Sequence, residues 1–315
     1  MNSAILKVAV PIMLLMGQSY GQGCSDAGFC TMGAMKPDQP FNKKVEFKLR
    51  SMEFSFYRGT TTASPIVYVA TADLNFSLSQ KTFFQIKLPY QAVEGNFDKI
   101  SGLSDLSLSI TRVLKATDSY DINFTVGGKI PSSGADLKRS SDGAPLPMYY
   151  QVSLGSYDFV SGISFKNRHW LVATGIQYAF NQNDNNFTRE AWQEPVYPDF
   201  NYVKKHHDSR RLRRGTDVML RVERNFRFSQ FNFSVGALPI FRVTKDEIED
   251  PLTGLRAKQE GTTGMALSAI VTAGYSFDVR SGVRLLVGQK ITQREVNPDG
   301  LTRNMVSTLS YYYRF

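Results

Sequence analysis

Three groups of residues in this sequence carry side chains from which chemistry could be built. The first is the run Lys204-Lys205-His206-His207-Asp208, continued by Arg210, Arg211, Arg213 and Arg214. An imidazole beside a carboxylate is the general-base arrangement of a hydrolase. Neighbours along a chain seldom face one another, though, and the 3 histidines among 315 residues offer no zinc-ligand spacing. The sequence also has no nucleophile elbow and no phosphate-cradling glycine loop. The reading is therefore non-enzymatic, with no catalytic residue, cofactor or metal expected. Without catalysis, the run sets the cations Lys204, Lys205, Arg210, Arg211, Arg213 and Arg214 against the single Asp208. An anion-binding rim and a solvated charged loop in a head-group layer both fit it.

The second group is Cys24 and Cys30, which bracket Ser-Asp-Ala-Gly-Phe. In an oxidising compartment this spacing most simply gives a small disulfide loop. Adding Met32 and Met35 gives a set of soft ligands suited to Cu(I), but no histidine lies nearby. The third group is dispersed: Asp73, Asp121, Asp217, Arg221, Glu223, Arg284, Lys290 and Arg314. Inside a closed barrel these would line the lumen, as a selectivity filter for a charged solute or as a salt-bridged filling.

The elements that must position them alternate with period two. In "YVATADLNFSL" Tyr68, Ala70, Ala72, Leu74, Phe76 and Leu78 share one face, and Val69, Thr71, Asp73, Asn75 and Ser77 the other. The same pattern recurs in "DLSLSI", "YDINFTVG", "HWLVATGIQYAF", "DVMLRVE" and "QFNFSVGA". This is the signature of half-apolar strands. Twelve are expected, near 43–57, 65–78, 82–92, 104–114, 119–129, 149–166, 168–181, 215–225, 228–241, 264–277, 282–293 and 305–315. Their length of about ten residues suits a tilted transmembrane β-strand. Short connections at Gln80-Lys81, Asn167-Arg168, Phe226-Arg227 and 278–281 alternate with long ones at 91–103, 130–148, 182–214, 242–263 and 294–304. Outer-membrane barrels are built this way, with short periplasmic turns and long external loops. His169, beside Trp170, then sits at a periplasmic turn as an interfacial residue.

Both chain ends agree. Lys7, the apolar "VAVPIMLLMG" and Ser19-Tyr20-Gly21 read as a signal peptide over 1–21. Beyond it no apolar run reaches the roughly 18 to 20 residues of a spanning helix. Residues 22–42 would be a periplasmic segment and 43–315 an all-β transmembrane antiparallel barrel. The chain finishes on "SYYYRF", which places Leu309, Tyr311, Tyr313 and Phe315 on one face. A terminal Phe preceded by aromatic or apolar residues at alternate positions is similar to the C-terminal signature read by the barrel-assembly machinery.

Composition fits this class. Aromatics reach 12%, with 22 Phe and 15 Tyr against 2 Cys, which favours strands. Mean hydropathy is −0.25, which excludes a bundle of membrane helices. The formal charge of +9 falls to +8 once Lys7 leaves with the signal peptide. It points to anionic partners such as lipopolysaccharide.

"LPYQAVEGNFDKISGLSDLSLSITRVL" (88–114) resembles the outer-membrane family of phenol-degradation meta-pathway transporters. The resemblance rests on Leu88-Pro89-Tyr90 and Gly102-Leu103-Ser104-Asp105-Leu106, with Ser104 where a second glycine is usual. "YYQVSLGSYDFVSGISF" (149–165), followed by "WLVATGIQYAFN", is similar to the same family's middle section. The resemblance implies a monomeric barrel that passes small hydrophobic or aromatic compounds, related in role to long-chain fatty acid channels. The expectation is thus a Gram-negative outer-membrane channel for a small solute, with no nucleic-acid partner. A filled barrel that anchors a partner is the alternative. A compact 22–42 segment folded into or against the periplasmic mouth would limit flux.

Overall fold

The inward and outward faces expected from alternation become the two sides of one wall. The computed structural model describes residues 32–33, 48–193 and 195–315, and its long strands close into a twelve-stranded antiparallel barrel. The wall begins with β1 (Lys48–Thr61), β2 (Ile66–Ser79), β3 (Thr82–Glu94), β4 (Lys99–Leu103) continued by β5 (Leu106–Ala116), and β6 (Tyr120–Ile130). It goes on through β7 (Asp158–Asn167), β8 (Trp170–Ala179), β9 (Asp217–Arg227) and β10 (Phe231–Arg242). A separate hairpin, β11 (Glu247–Glu249) and β12 (Arg256–Lys258), lies in the loop that follows. β13 (Gly264–Ser276), β14 (Ser281–Thr292) and β15 (Arg303–Arg314) complete the ring, and β15 pairs with β1. The signal-peptide span, Cys24, Cys30 and Met35 lie outside the described residues.

At the closing seam Phe54 stands opposite Tyr311 and Phe56 opposite Leu309. All four are exposed, as is Phe315 at the chain end. Such a patch is a liability in water but is the lipid-facing band of a transmembrane barrel. The last residue is held in the ladder, its amide donating to the Arg50 carbonyl at 2.8 Å.

The short turns are fixed by side chains that accept backbone N–H groups, which lets two strands reverse within two to four residues. Asn167 Oδ1 accepts from His169 and Trp170 at 2.7 and 2.6 Å. Asp278 Oδ1 accepts from Arg280 and Ser281 at 2.6 and 2.7 Å.

Two expected boundaries are corrected. The 91–103 loop is mostly strand: β3 and β4 pair from Tyr90↔Leu103 up to Glu94↔Lys99, leaving only 95–98 as a turn. Long and short connections therefore alternate only from β6 onward. The 149–166 strand begins at Asp158. Its first part is a 3-10 turn, Met148–Tyr150, followed by chain that dips into the mouth, where Gly155 takes φ +66 and breaks the extended run.

One irregularity carries a motif. Between the Lys87↔Ser107 and Tyr90↔Leu103 pairings, three steps on β3 face four on the partner strand. Pro89 has no N–H to give the ladder, and a bulge opposite it is the accommodation. The bulge turns Asp105 inward, where it is buried.

Candidate functional site

The lumen is the candidate site, and burial among the eight residues expected to line it runs from complete at Arg221 to partial at Asp121 and Arg314. Asp73 is buried on β2, its Oδ1 and Oδ2 both accept from Gln85 Nε2, at 3.0 and 2.9 Å, and Lys87 Nζ lies 3.8 Å away. Arg221 and Glu223, two apart on β9, form a fully buried ion pair, and Ser234 donates to the same carboxylate at 3.0 Å. Arg284 reaches Glu53 at 3.7 Å and lies over the Tyr312 ring at 5.6 Å. Arg314 stacks on the same ring at 4.8 Å. Lys290 donates to Gln293 and Asn304 at 2.6 and 3.0 Å. Asp121 is half-buried at the short-turn end of β6.

Asp217 pairs with a residue that the sequence pattern did not single out. Arg242 donates to Asp217 Oδ1 and Oδ2 at 2.8 and 2.7 Å, to Asp246 at 2.6 Å and to Asp299 at 2.9 Å. Arg294 adds a contact to Asp299 at 3.2 Å. Burial alone would raise the Asp299 carboxyl, but Arg242, Arg294 and Arg214 outweigh it and hold it well below the usual range. Burial, aided by Asp299, pushes Asp246 up. This hub ties the 243–263 and 293–302 loops to the ends of β9 and β10. Nothing in the local sequence announces it, because its partners come from four separate segments.

The two stretches that carry the family resemblance converge beside it. Asp105, from the bulge, contacts Lys129 at 3.6 Å and accepts the Leu154 N–H at 3.1 Å. Lys129 lies opposite Asp158 in the β6–β7 register, and Asp158 accepts from Arg214 at 2.6 Å. Arg214, expected at the surface in an anion-binding rim or a solvated charged loop, is instead buried inside the mouth. The remaining basic-loop residues are mostly engaged as well. Arg210 and Arg211 contact Glu249 at 3.2 and 3.5 Å, and Arg213 donates to the Tyr178 hydroxyl at 3.1 Å. Lys204 and Lys205 are exposed and lie over the Phe200 and Tyr202 rings. The loop is a braced surface more than an open anion rim.

The same loop roofs the long-loop end with aromatic rings. Phe97, from the 95–98 turn, has Trp192 at 4.2 Å, Tyr202 at 4.8 Å, His206 at 4.9 Å, Tyr197 at 5.0 Å and Tyr150 at 5.4 Å. The short helix α1 (Phe200–Val203) places Tyr202, whose hydroxyl is 2.8 Å from that of Tyr150. Burial drives the His206 imidazole down to about 3, so it is neutral at ordinary pH. Asp208 instead accepts the Arg189 backbone N–H at 2.7 Å, and no hydrogen bond joins it to either neighbouring histidine among the described residues. The Asp–His pair is not assembled.

Inside the barrel are two residues from the segment before the first strand. Met32 is fully buried and belongs to one apolar cluster with Val160, Ala173, Met219, Leu238 and Ile270, each on the inward face of its strand. Full burial of such a side chain stabilises by roughly 1.5–3 kcal/mol. Gly33 donates its N–H to Gln85 Oε1 at 2.6 Å on the opposite wall. Its φ is +50, and a Cβ there would come within 2.4 Å of Thr125 Cγ2 and 2.6 Å of Thr111 Oγ1. Only glycine fits.

No protein-family model and no curated protein matches the sequence. Among solved structures, the chain is similar to an outer-membrane channel from Pseudomonas putida, with 12% identity and a TM-score of 0.58 over 88% of this chain and 99% of that one. At that identity the likeness establishes the barrel fold. Weaker likenesses are to the KdgM porin (7% identity, TM-score 0.43, 84% and 99% covered) and the CymD monoaromatic hydrocarbon channel (9%, 0.40, 95% and 95%).

Proposed function

We propose that this protein is an outer-membrane channel for passive uptake of a small solute, held shut at rest by its own N-terminal segment. The observation that carries this reading is Met32-Gly33 lodged in the lumen between two walls that each bind it. A barrel needed only as an anchor has no use for a glycine cradle and an apolar seat inside its wall. The apolar outer band, the inward charges and the fold shared with a solved outer-membrane channel support the same reading. The long loops would face outward, the short turns the periplasm, and exposed Leu309, Tyr311 and Phe315, with Tyr313, would serve the assembly machinery.

A filled, non-conducting barrel is the second reading, favoured by the density of buried ion pairs at the mouth. Planar-bilayer recording separates the two. Discrete current steps are expected from purified, heat-modifiable protein lacking residues 22–40, and a correctly folded barrel that stays electrically silent without that segment would favour the filled form.

A further inference from the structure

Beyond the long-loop ends of β6, β7 and β8, the loops enclose a pocket of about 640 Å³, a size that suits a small molecule. Its lining comes from the chain after β6, from Gly155, from the chain after β8 and from Arg211. Apart from Pro131 and two glycines, the described side chains that line it are all polar or charged. Several are fixed by backbone groups. Asp184 Oδ1 accepts the Ala135 N–H at 2.6 Å, and Asn181 Oδ1 accepts the Tyr157 N–H at 2.8 Å. Asp136 accepts from the Asn186 N–H and from its Nδ2, at 3.0 and 2.9 Å. Arg211 has φ +44 and is one of two non-glycine residues at positive φ among the described residues. Such a conformation persists only where its surroundings enforce it. Held donors and acceptors of both kinds suit a ligand rich in hydroxyls, since each hydroxyl both donates and accepts.

What the pocket rejects narrows the ligand. A phosphate or carboxylate would meet Asp136 and Asp184, while the charge of Arg211 is shared with Glu249, 3.5 Å from its Nε. Calcium takes roughly six to eight oxygen ligands. Asp136 already accepts through both oxygens, and no metal-binding group of three His, Cys, Asp or Glu forms among the described residues. Asp184 Oδ2 and Gln182 Nε2 are left as an acceptor and a donor, with no other hydrogen bond among the described residues. A Cβ on Gly134 would come within 2.3 Å of that Oδ2, so glycine is what leaves the oxygen uncovered. We infer that this pocket binds a neutral sugar unit, with Asp184 Oδ2 accepting from one hydroxyl and Gln182 Nε2 donating to another. Ile130, Tyr157 and Phe180, beside the lining segments in the chain, are exposed on the outer face. The pocket therefore lies just beyond the lipid-facing band, at the level of the lipopolysaccharide sugars. Two sources carry this chemistry there, the core sugars of a neighbouring lipopolysaccharide and a free saccharide. The site is on the outside of the barrel and stands whether or not the lumen conducts.

The test uses the full mature chain in lipid nanodiscs, with the folding of each variant checked by heat-modifiability. Lactose is the free-sugar probe, titrated by saturation-transfer NMR. Core-bearing lipopolysaccharide and lipid A, which lacks the core sugars, are compared as bound adducts by native mass spectrometry. Asp184→Ala removes the open acceptor. Gly134→Ala only adds a methyl against it, which keeps the test valid if the first variant disturbs the loop. Either change should weaken binding of a sugar probe at least ten-fold and leave lipid A binding unchanged. A loss with lactose assigns the site to free saccharides, and a loss with core-bearing lipopolysaccharide alone assigns it to the leaflet. Tighter binding of lipopolysaccharide by Asp184→Ala would show that the ligand is an anion and would overturn the inference. So would a fall in lipid A binding as large as that in core-bearing lipopolysaccharide, or equal binding of both sugar probes by wild type and both variants.

Discussion

Where Met32 and Gly33 sit, β2, β3, β5 and β6 turn Asp73, Gln85, Ser109, Thr111 and Thr125 to the lumen, while β7 to β13 turn Val160, Ala173, Met219, Leu238 and Ile270. Both halves lie within one continuous hydrogen-bonded wall and share the same apolar outer face. The outer face answers to lipid, which is uniform around the barrel, and so its pattern is uniform. The inner face answers to whatever occupies the lumen, so it differs from one half to the other.

The largest expected effect tests how the apolar half tolerates charge. Arg221 and Glu223 are fully buried there, and removing one partner leaves the other uncompensated, at a cost of about 3–5 kcal/mol. Arg221→Met should therefore lower the urea midpoint of the heat-modifiable form sharply. Replacing Glu223 by Met as well should recover most of the loss. Equal damage from the single and double variants would mean that the pair is not what makes the charge tolerable.

A smaller effect is expected on the polar half. Gln85→Leu takes away the acceptor of the Gly33 N–H and the donor to Asp73, worth roughly 1–3 kcal/mol. The first loss falls on docking of the segment, so channel open probability should rise about ten-fold, while the second falls on the wall beside Asp73 and should lower the urea midpoint less than Arg221→Met does. An unchanged open probability would assign the hold on the segment to the apolar half alone.

The sequence makes the outer face legible and the inner face much less so. Leu309, Tyr311 and Phe315 alternate on a strand that ends the chain, and their exposure on the barrel follows from that spacing. On β10 and β13 the inward Leu238 and Ile270 stand between outward apolar residues, so alternation weakens where the lumen wall is itself apolar. β7 starts later than the alternation places it, because Tyr149, Tyr150 and Val152 have the residue types of a strand but are buried by loop packing at the mouth. The Arg242 hub joins β9, β10 and two loops, and only the closed fold brings its carboxylates together. Arg214 sits in a basic run that reads as surface, yet Asp158 draws it inside.

The central claim is that the lumen is a pathway closed by the segment bearing Met32 and Gly33. Its most direct test is single-channel conductance of a chain lacking residues 22–40 behind an intact signal peptide, set beside the wild type in the same bilayer. The account predicts a barrel that inserts and remains heat-modifiable, with a stable conductance several-fold above the wild-type level. A correctly inserted deletion whose conductance equals that of the wild type would contradict it.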